Sequence, residues 1–364
     1  MKRTRFIIVG SGWRSLYYVR IAKALPDQFE LCAMLCRTEE KAQRLGVEND
    51  IHTTTSEEEC IAMKPDLVVV VVNKASIADV AMHWMEMGFC VLSETPAALE
   101  LPKLEKLWDL HCQGKKLVVN EQYRKYPVLS SIIKIAQSGL LGSNDSLNAS
   151  LAHEYHGASL IRALLCIDQS EQFSVTAKTY EFPVTETLTR YDSFKDGRIA
   201  MKKRTIATFE FESGKVSFYD FDGEQYRSPI RKNTMRLLGK RGEIIDDKIY
   251  FLDSSNEGIC APLHVITRKV KTGYDNPNLR EIDEVLSVDF NGQKLYEMPF
   301  GPCGLAQDET AMAIMMRQTA LYGQGLSESP YPLSEALQDA YTMILMQRAC
   351  ESGDKVVSEL QIWN

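Results

Sequence analysis

A glycine-rich segment directly behind the first apolar run restricts the possible folds more than any other part of the chain. Phe6–Val9 has the length and composition of a buried strand, Gly10–Ser15 (GSGWRS) follows it at once, and residues 16–23 continue as a helix. In this setting the first glycine permits a tight turn, the second lets the backbone approach a pyrophosphate, and the helix N-terminus supplies amide donors. The segment predicts a Rossmann dinucleotide-binding domain, with Ser15 as a small substitute for the usual third glycine.

Four further apolar runs follow, each about one helix length after the last. They are Leu31–Leu35, Leu67–Val72, Val91–Ser93 and Leu117–Val119. This alternation predicts βαβ units and a parallel sheet. Between the runs at 67–72 and 91–93, a capping box formed by Ser76 and Asp79 predicts the start of a helix that ends at Gly88.

The pattern changes after Tyr126-Pro127, where one more helix is predicted over residues 128–137. Ala207, Phe209 and Phe211 then alternate with polar residues, a Ser213-Gly214 turn follows, and the alternation resumes at Val216 and Phe218, which predicts an antiparallel hairpin. Further strands are predicted at Leu147–Tyr155, Ser174–Thr179, Ile249–Leu252 and Val285–Phe290, and a last helix after Pro332. We therefore expect an α/β protein whose second domain is α+β with a mostly antiparallel sheet.

Composition narrows the class of partner. The chain has 42 Lys and Arg against 49 Asp and Glu, a net charge of -7, so nucleic acid and anionic membranes are poor candidates. The longest strongly apolar run, residues 67–72, is far too short to span a bilayer. Nine cysteines without C-x-x-C spacing predict buried, reduced thiols and a cytoplasmic location, and Cys32 with Cys36 lacks further ligands, so we expect no metal.

The end of the second strand bears on the choice of cofactor. A carboxylate there, about 20 residues past the glycines, would bind the ribose 2′-hydroxyl of NAD. This chain has Cys36, Arg37 and Thr38 instead. Arg37 is able to pair with a 2′-phosphate and Thr38 to donate a hydrogen bond to it, which favours NADP and leaves NAD open. The competing interpretation is a solvated Arg37 that begins the charged surface at residues 37–41.

Several further motifs occur in a characteristic order. They are Lys64–Asp66 (KPD), Val91–Pro96 (VLSETP), Glu121–Pro127 (EQYRKYP), Gly139–Gly142 (GLLG), Leu238–Glu243 (LGKRGE) and Tyr331–Leu333 (YPL). With the glycine turn, this combination resembles the glucose-fructose oxidoreductase / inositol dehydrogenase (Gfo/Idh/MocA) family over most of the chain. The resemblance implies a Rossmann domain over residues 1–122, a C-terminal substrate-binding and oligomerisation domain with a large open sheet over residues 123–364, and a substrate cleft between the two.

The resemblance also points to catalytic residues and to two departures. Family members usually carry Glu-Lys-Pro after the fifth strand, where the lysine hydrogen-bonds the reacting group, whereas this chain has Thr95 there. A threonine orients an oxygen but is a far weaker proton donor near neutral pH, which puts simple alcohol or sugar dehydrogenation in doubt. His156 occupies the histidine of the family's Asp-x-x-x-His motif, and Ala152 the aspartate. We predict His156 and Thr95 as catalytic residues, with Lys74 as a substitute cation or a solvated lysine.

The remaining site predictions follow from the same register. Tyr123 and Arg124 are expected at the substrate or the nicotinamide, with an interdomain salt bridge as the competing role of Arg124. His153 and Tyr155 are expected beside His156 or at the cleft. The predicted cofactor contacts are Gly10, Ser11, Gly12, Trp13, Arg14, Ser15, Cys36, Arg37, Thr38, Asn73, Glu94 and Pro96.

The leading functional hypothesis is an NAD(P)-dependent oxidoreductase with a preference for NADP. It would transfer a hydride between nicotinamide C4 and a small carbonyl, imine or sugar-like carbon. One alternative is a dinucleotide-binding sensor or regulator without turnover, motivated by Thr95 and Ala152. Another, known in the family, is nicotinamide-assisted glycoside cleavage. Because an open sheet needs its second face covered, we expect a homodimer or homotetramer through the C-terminal sheet.

Overall fold

The computed structural model describes residues 2–190, 192–272 and 280–364, which form two compact units. The first unit comprises Met1–Tyr126, Pro299–Ala340 and Trp363. The second comprises Pro127–Met298, Tyr341–Ile362 and Asn364. The predicted domain boundary between residues 122 and 123 stays a prediction. The contacts in the structure group residues 299–340 with the N-terminal unit.

A six-stranded parallel sheet forms the centre of the first unit. Its elements in chain order are β1 Thr4–Val9, α1 Ser15–Ala24, β2 Phe29–Leu35, α2 Glu39–Asn49, β3 Thr53–Thr54, α3 Glu57–Ala62, β4 Leu67–Val70, α4 Ile77–Glu86, β5 Val91–Ser93, α5 Leu101–Cys112, β6 Leu117–Val119 and a 3₁₀ helix Gln122–Lys125. The strand order is β3-β2-β1-β4-β5-β6, with a reversal between β1 and β4. The predicted parallel sheet is confirmed, and β4, β5 and β6 are buried throughout, as strands covered on both faces are. The prediction missed β3, because two threonines carry no apolar pattern.

The capping box predicted for α4 is wrong. Ser76 adopts helical backbone angles rather than the extended angles of an N-cap, and it makes no side-chain cap. Instead its amide and hydroxyl both donate to Asn73 Oδ1, at 3.1 and 3.2 Å. The turn between β4 and α4 is therefore closed by Asn73.

The second unit is built on a nine-stranded sheet and a three-stranded sheet. Its elements are α6 Pro127–Gln137, β7 Asn144–Ser150, α7 Glu154–Leu165, β8 Phe173–Thr185, β9 Ile199–Phe211, β10 Val216–Asp222, a 3₁₀ helix Gly223–Tyr226, β11 Thr234–Gly239, β12 Gly242–Ile245, β13 Lys248–Leu252, β14 Gly258–Pro262, β15 His264–Lys271, β16 Glu281–Phe290, β17 Gln293–Glu297 and β18 Val356–Val357. Two helices of the C-terminal region complete the list: α8 Gln307–Gly323, in the first unit, and α9 Leu333–Ser352, which begins in the first unit and continues in the second.

The large sheet has the order β14-β13-β12-β11-β7-β10-β9-β8-β18, and the small one β15-β16-β17. Only β7 with β10 pairs in parallel among the described strands of these two sheets; the other pairs are antiparallel, as predicted. The strand predicted over 147–155 ends at Ser150, because the chain turns into α7 at Glu154.

The predicted hairpin is β9–β10, with one error of phase. Ala207, Phe209 and Phe211 are buried, as the alternation indicates. Opposite them, however, the buried residues of β10 are Ser217, Tyr219 and Phe221, since Ser217 pairs with Phe209 and Tyr219 with Ala207. Phe218 therefore lies on the other face of the sheet and is 46% exposed.

Helix α8 explains why residues 299–340 group with the N-terminal unit. It packs against α1, β4, β5 and the 3₁₀ helix that follows β6. A buried ion pair joins Arg20 Nε of α1 to Glu309 Oε1 of α8 at 2.5 Å. A segment distant in the sequence thus covers one face of the parallel sheet.

The nine cysteines are all free thiols. The prediction that they are buried is wrong for Cys112, Cys166 and Cys260, which are exposed. Cys112 and Cys166 lie at the C-terminal ends of α5 and α7, and Cys260 lies in the middle of β14. No helix within the described ranges is long and apolar enough to cross a membrane.

Candidate functional site

The turn after β1 has the geometry that the glycine pattern predicts. Gly10 has a φ of +114°, and a Cβ at this position would lie 2.1 Å from the Val71 carbonyl oxygen, so only glycine fits. Gly12 is exposed, and a Cβ there would meet no atom within 4 Å. The space over Gly12 at the start of α1 is therefore open to a group that approaches the backbone, as a pyrophosphate does in this fold. By this test the residues present fit a dinucleotide.

Ser15 takes a direct part in closing this turn. Its side chain is buried, and its hydroxyl donates to the Gly10 carbonyl at 3.0 Å. The serine that replaces the third glycine thus adds a hydrogen bond across the turn. Trp13, in the same segment, is 40% exposed and packs edge to face against Tyr17.

The end of β2 presents polar groups to solvent. Arg37 is exposed and Cys36 is buried. Thr38 caps α2, since its hydroxyl oxygen accepts from the Lys41 amide at 3.3 Å, and this leaves the hydroxyl proton available to donate. No carboxylate stands among these three positions.

Glu94, after β5, is the centre of a buried hydrogen-bond network. Its Oε1 accepts from Tyr18 OH at 2.5 Å, from Asn120 Nδ2 at 3.1 Å and from Arg14 Nε at 3.2 Å. Tyr18 and Asn120 are fully buried, and burial raises the pKa of Tyr18, so its phenol stays a neutral donor. The structure thus brings together the predicted residues Arg14 and Glu94, and adds Tyr18 and Asn120, which the sequence analysis missed.

Thr95 and Pro96, next to Glu94, are joined by a cis peptide bond. Thr95 is partly exposed and Pro96 is buried. Asn73 and Lys74 lie in the exposed turn between β4 and α4, where Asn73 accepts the two hydrogen bonds of Ser76. Lys74 is exposed at that turn.

The 3₁₀ helix after β6 carries the predicted substrate residues Tyr123 and Arg124. It is capped by Glu121, whose Oε1 accepts from the Tyr123 amide at 3.2 Å. Burial raises the pKa of Glu121 well above its ordinary value, although the positive charge of Arg124 opposes the shift. The ring of Tyr123 stacks on Tyr126, with centroids 4.6 Å apart.

Arg124 is engaged in an ion pair at the start of α9. Its Nη2 lies 3.1 Å from Asp339 Oδ2 and 3.8 Å from a Glu335 oxygen, and its guanidinium lies 5.0 Å from the centre of the Tyr331 ring. Tyr331 donates its hydroxyl proton to the same Asp339 oxygen. These contacts favour a salt-bridge role for Arg124, formed within the first unit.

In the second unit, the predicted histidines lie at the start of α7. His156 is 4% exposed, and its ring centre lies 5.1 Å from that of His153 in an edge-to-face arrangement. His153 Nδ1 and the Tyr226 hydroxyl are hydrogen-bonded, and that hydroxyl also accepts from the His153 amide at 3.1 Å. Tyr155 is buried.

A second tyrosine holds the same helix start. Tyr219 OH accepts from the Glu154 amide at 3.0 Å, and a Cβ on Gly157 would lie 2.5 Å from the Tyr219 ring. Sequence reasoning missed both Tyr219 and Tyr226. Each is an aromatic residue on or just after a strand, 60 to 75 positions after the amide that it holds, and such a residue does not by itself indicate this contact. In residues 2–190, 192–272 and 280–364, no group of three or more His, Cys, Asp or Glu side chains is arranged for a metal ion.

The strand order, the glycine turn and its open N-terminal space define the first unit as a Rossmann dinucleotide-binding domain. Residues 4–122 match the family model described as "Oxidoreductase family, NAD-binding Rossmann fold". Over residues 4–122 the resemblance to the Gfo/Idh/MocA family is therefore confirmed, and the matching model describes oxidoreductases with an NAD-binding Rossmann fold.

Solved structures resemble the whole chain in fold. A levoglucosan dehydrogenase in complex with NADH and levoglucosan has 16% identity and a TM-score of 0.67, over 98% of this chain and 99% of that one. GenD2 from gentamicin A biosynthesis, in complex with NAD, has 15% identity and a TM-score of 0.66, over 99% and 97%. The WlbA dehydrogenase from Bordetella pertussis, in complex with NADH and UDP-GlcNAcA, has 15% identity and a TM-score of 0.64, over 99% and 100%. No curated protein matches the sequence.

Proposed function

We propose that this protein is an NADP-preferring oxidoreductase that exchanges a hydride with a small carbonyl, imine or sugar-like substrate. The observation that carries the proposal is the open backbone space over Gly12 at the start of α1, beside the exposed Arg37 and Thr38 at the end of β2. The sugar-containing ligands of WlbA and of levoglucosan dehydrogenase support a sugar-like substrate.

This chain's residues would divide the work as follows. The amides and the positive helix end at Gly12 would bind the pyrophosphate, and Arg37 with Thr38 would bind a 2′-phosphate. When bound, the cofactor supplies the hydride acceptor or donor at C4 of its nicotinamide. Thr95 would orient the reacting oxygen, and His156 would hold or release the proton that accompanies the hydride.

The cofactor preference is tested on the purified protein stripped of bound nucleotide, by fluorescence titration with NADPH and with NADH. We expect tighter binding of NADPH, and Arg37→Ala should weaken NADPH binding about tenfold while NADH binding stays unchanged. Arg44→Ala is the matched control, since Arg44 is exposed on α2 and pairs with Glu48. Equal affinity for both cofactors, or an equal loss in the two variants, would disprove the role of Arg37.

The role of His156 is tested once a carbonyl and sugar screen has found a substrate. His156→Ala should lower kcat by about 100-fold or more. His111→Ala is the control and should leave kcat unchanged, because His111 lies in the last turn of α5 and is not among the predicted site residues. Unchanged turnover in His156→Ala would remove this residue from the mechanism.

A sensor without turnover is the second candidate. It is favoured by Thr95, in place of the family lysine, and by Ala152, which is fully buried at the aspartate position. Tight cofactor binding combined with the absence of hydride exchange in the substrate screen would support the sensor over the enzyme.

We propose further that two copies associate through the outer face of the large sheet. On three neighbouring strands this face exposes Tyr180, Phe182, Ile206 and Phe218, each at least 40% exposed. Lys178 pairs with Ile206, and Thr208 pairs with Phe218, so these exposed side chains lie on the same face of the sheet. An exposed apolar face of this kind favours self-association.

The association is tested by sedimentation equilibrium. The protein should be a dimer or tetramer, and Phe218→Glu should dissociate it. Ile362→Glu, which changes another exposed residue outside the sheet, should leave the mass unchanged. A monomeric wild-type protein at micromolar concentration would disprove this proposal.

A further inference from the structure

An ion cluster joins three segments of the first unit at the glycine turn and the end of β5. Its charged members are Arg14, Glu94 and Asp308, the last in the first turn of α8. Arg14 Nε lies 3.2 Å from Glu94 Oε1, and Arg14 Nη1 lies 3.5 Å from Asp308 Oδ2. All three side chains are at least three-quarters buried. We refer to them as the Arg14 cluster.

The Arg14 cluster contains one cation and two carboxylates, an excess of one negative charge. The other two donors to Glu94 do not change this balance, because the Asn120 amide is neutral and burial keeps the Tyr18 phenol protonated. In low-dielectric surroundings such an excess acts more strongly than at the surface, since water does not screen it fully.

Two further arginines of the first unit are paired with acids of their own. Arg20 pairs with Glu309, next to Asp308 in the chain. Arg124 lies against Asp339 and Glu335. These two arginines therefore do not offset the charge of the Arg14 cluster.

The fold places this charge beside one half of the dinucleotide. A Rossmann sheet binds the two nucleotide halves on either side of the strand reversal, and the residues after β2 contact the adenosine ribose. The reversal here lies between β1 and β4, so the nicotinamide half belongs to the side of β4, β5 and β6. Glu94 follows β5 on that side, and Arg14 reaches it from the turn after β1.

The nicotinamide ring carries a positive charge when oxidised and none when reduced. We propose that the Arg14 cluster favours the oxidised, cationic ring over the reduced one, and so favours the direction in which hydride leaves the cofactor and the substrate is reduced. This inference rests on the proposed function, because it requires that the dinucleotide binds in the orientation of the fold.

The experiment measures dissociation constants by isothermal titration calorimetry for NADP⁺ and NADPH, in the wild-type protein and in Asp308→Asn. The asparagine retains an oxygen that is able to accept from the Glu309 amide, as Asp308 Oδ1 does at 2.9 Å. We expect Asp308→Asn to lower the ratio Kd(NADPH)/Kd(NADP⁺) about three- to tenfold, mainly through weaker binding of NADP⁺. Glu94→Gln should change the ratio in the same direction, and it serves as the second variant if Asp308→Asn does not fold.

Asp79→Asn is the control, since Asp79 is an exposed carboxylate on α4 that pairs with Lys103, and its loss changes the net charge by the same amount. A ratio that falls in the cluster variants but not in Asp79→Asn supports the inference. A ratio unchanged in the cluster variants, or changed equally in all three, overturns it while the proposed function stands. Failure of the wild-type protein to bind either form overturns the proposed function itself.

Discussion

The glycine turn of the first unit and the histidine segment of the second are built in opposite ways. At the turn, the special backbone of Gly10 and the hydroxyl of Ser15 lie five positions apart, and the turn closes on itself. At the start of α7, the backbone amides of His153 and Glu154 are held by tyrosines 73 and 65 positions away. The first site is therefore readable from a short stretch of sequence, and the second depends on a register that only the folded sheet provides.

The largest effect on stability is expected from Gly10→Ala, which tests the glycine turn, the site that is formed by residues close in sequence. The added Cβ meets the Val71 carbonyl oxygen at a backbone conformation unfavourable for alanine, so we expect a loss of about 3 kcal/mol or more in the free energy of unfolding, measured with urea. Gly12→Ala is the matched variant, because its Cβ meets nothing. It should unfold like the wild type and yet bind dinucleotide more weakly. Equal stability of the two variants would contradict the geometry described for the turn.

A smaller effect on stability is expected from Tyr226→Phe, which tests the start of α7, the site that is held by residues distant in sequence. The hydroxyl that accepts from the His153 amide and bonds Nδ1 is removed, at a cost of about 1–2 kcal/mol. Amide hydrogen exchange of His153 should accelerate, while that of Glu154, held by Tyr219, should not. Tyr219→Phe is predicted to give the reverse pattern. If both variants accelerated both amides alike, the two tyrosines would not hold separate positions.

The smallest effect on stability is expected at Glu121, a residue of the first unit whose burial depends on the whole fold and not on neighbouring sequence. Burial raises its pKa, so the folded state binds a proton more tightly than the unfolded state does, and this contribution to stability is lost as the pH rises above the ordinary carboxyl range. Glu121→Gln removes that loss and retains an acceptor for the Tyr123 amide. Its stability relative to wild type should rise by about 1 kcal/mol between pH 5 and pH 8, as measured by urea unfolding at each pH.

The exposed Glu48→Gln provides the baseline for that comparison, because its carboxylate is solvated on α2. A difference between Glu121→Gln and wild type that does not vary with pH would show that Glu121 is ionised in the folded protein.

Much of the first unit was predictable, because buried parallel strands and a glycine turn leave patterns within short windows. The same reasoning failed where distant segments decide. Phe218 was assigned to the alternation correctly but to the wrong face, since pairing with β9 determines which parity is buried. Tyr18 and Asn120 were missed because they are far apart in the sequence and meet only in the folded chain, at Glu94. The ion pair of Arg124 with Asp339 spans 215 positions and leaves no local trace.

The long separation between α1 and α8 has a consequence for biosynthesis. Arg20 and Glu309 are 289 positions apart, so at translation rates of about 5–20 residues per second Arg20 is made on the order of 15 to 60 s before its partner. During that interval the nascent chain contains the segments of the parallel strands and the glycine turn but lacks the helix that packs against α1. The first unit therefore reaches its final form only after α8 has been synthesised, and a cofactor that binds the glycine turn earlier would act as a ligand for an unfinished domain.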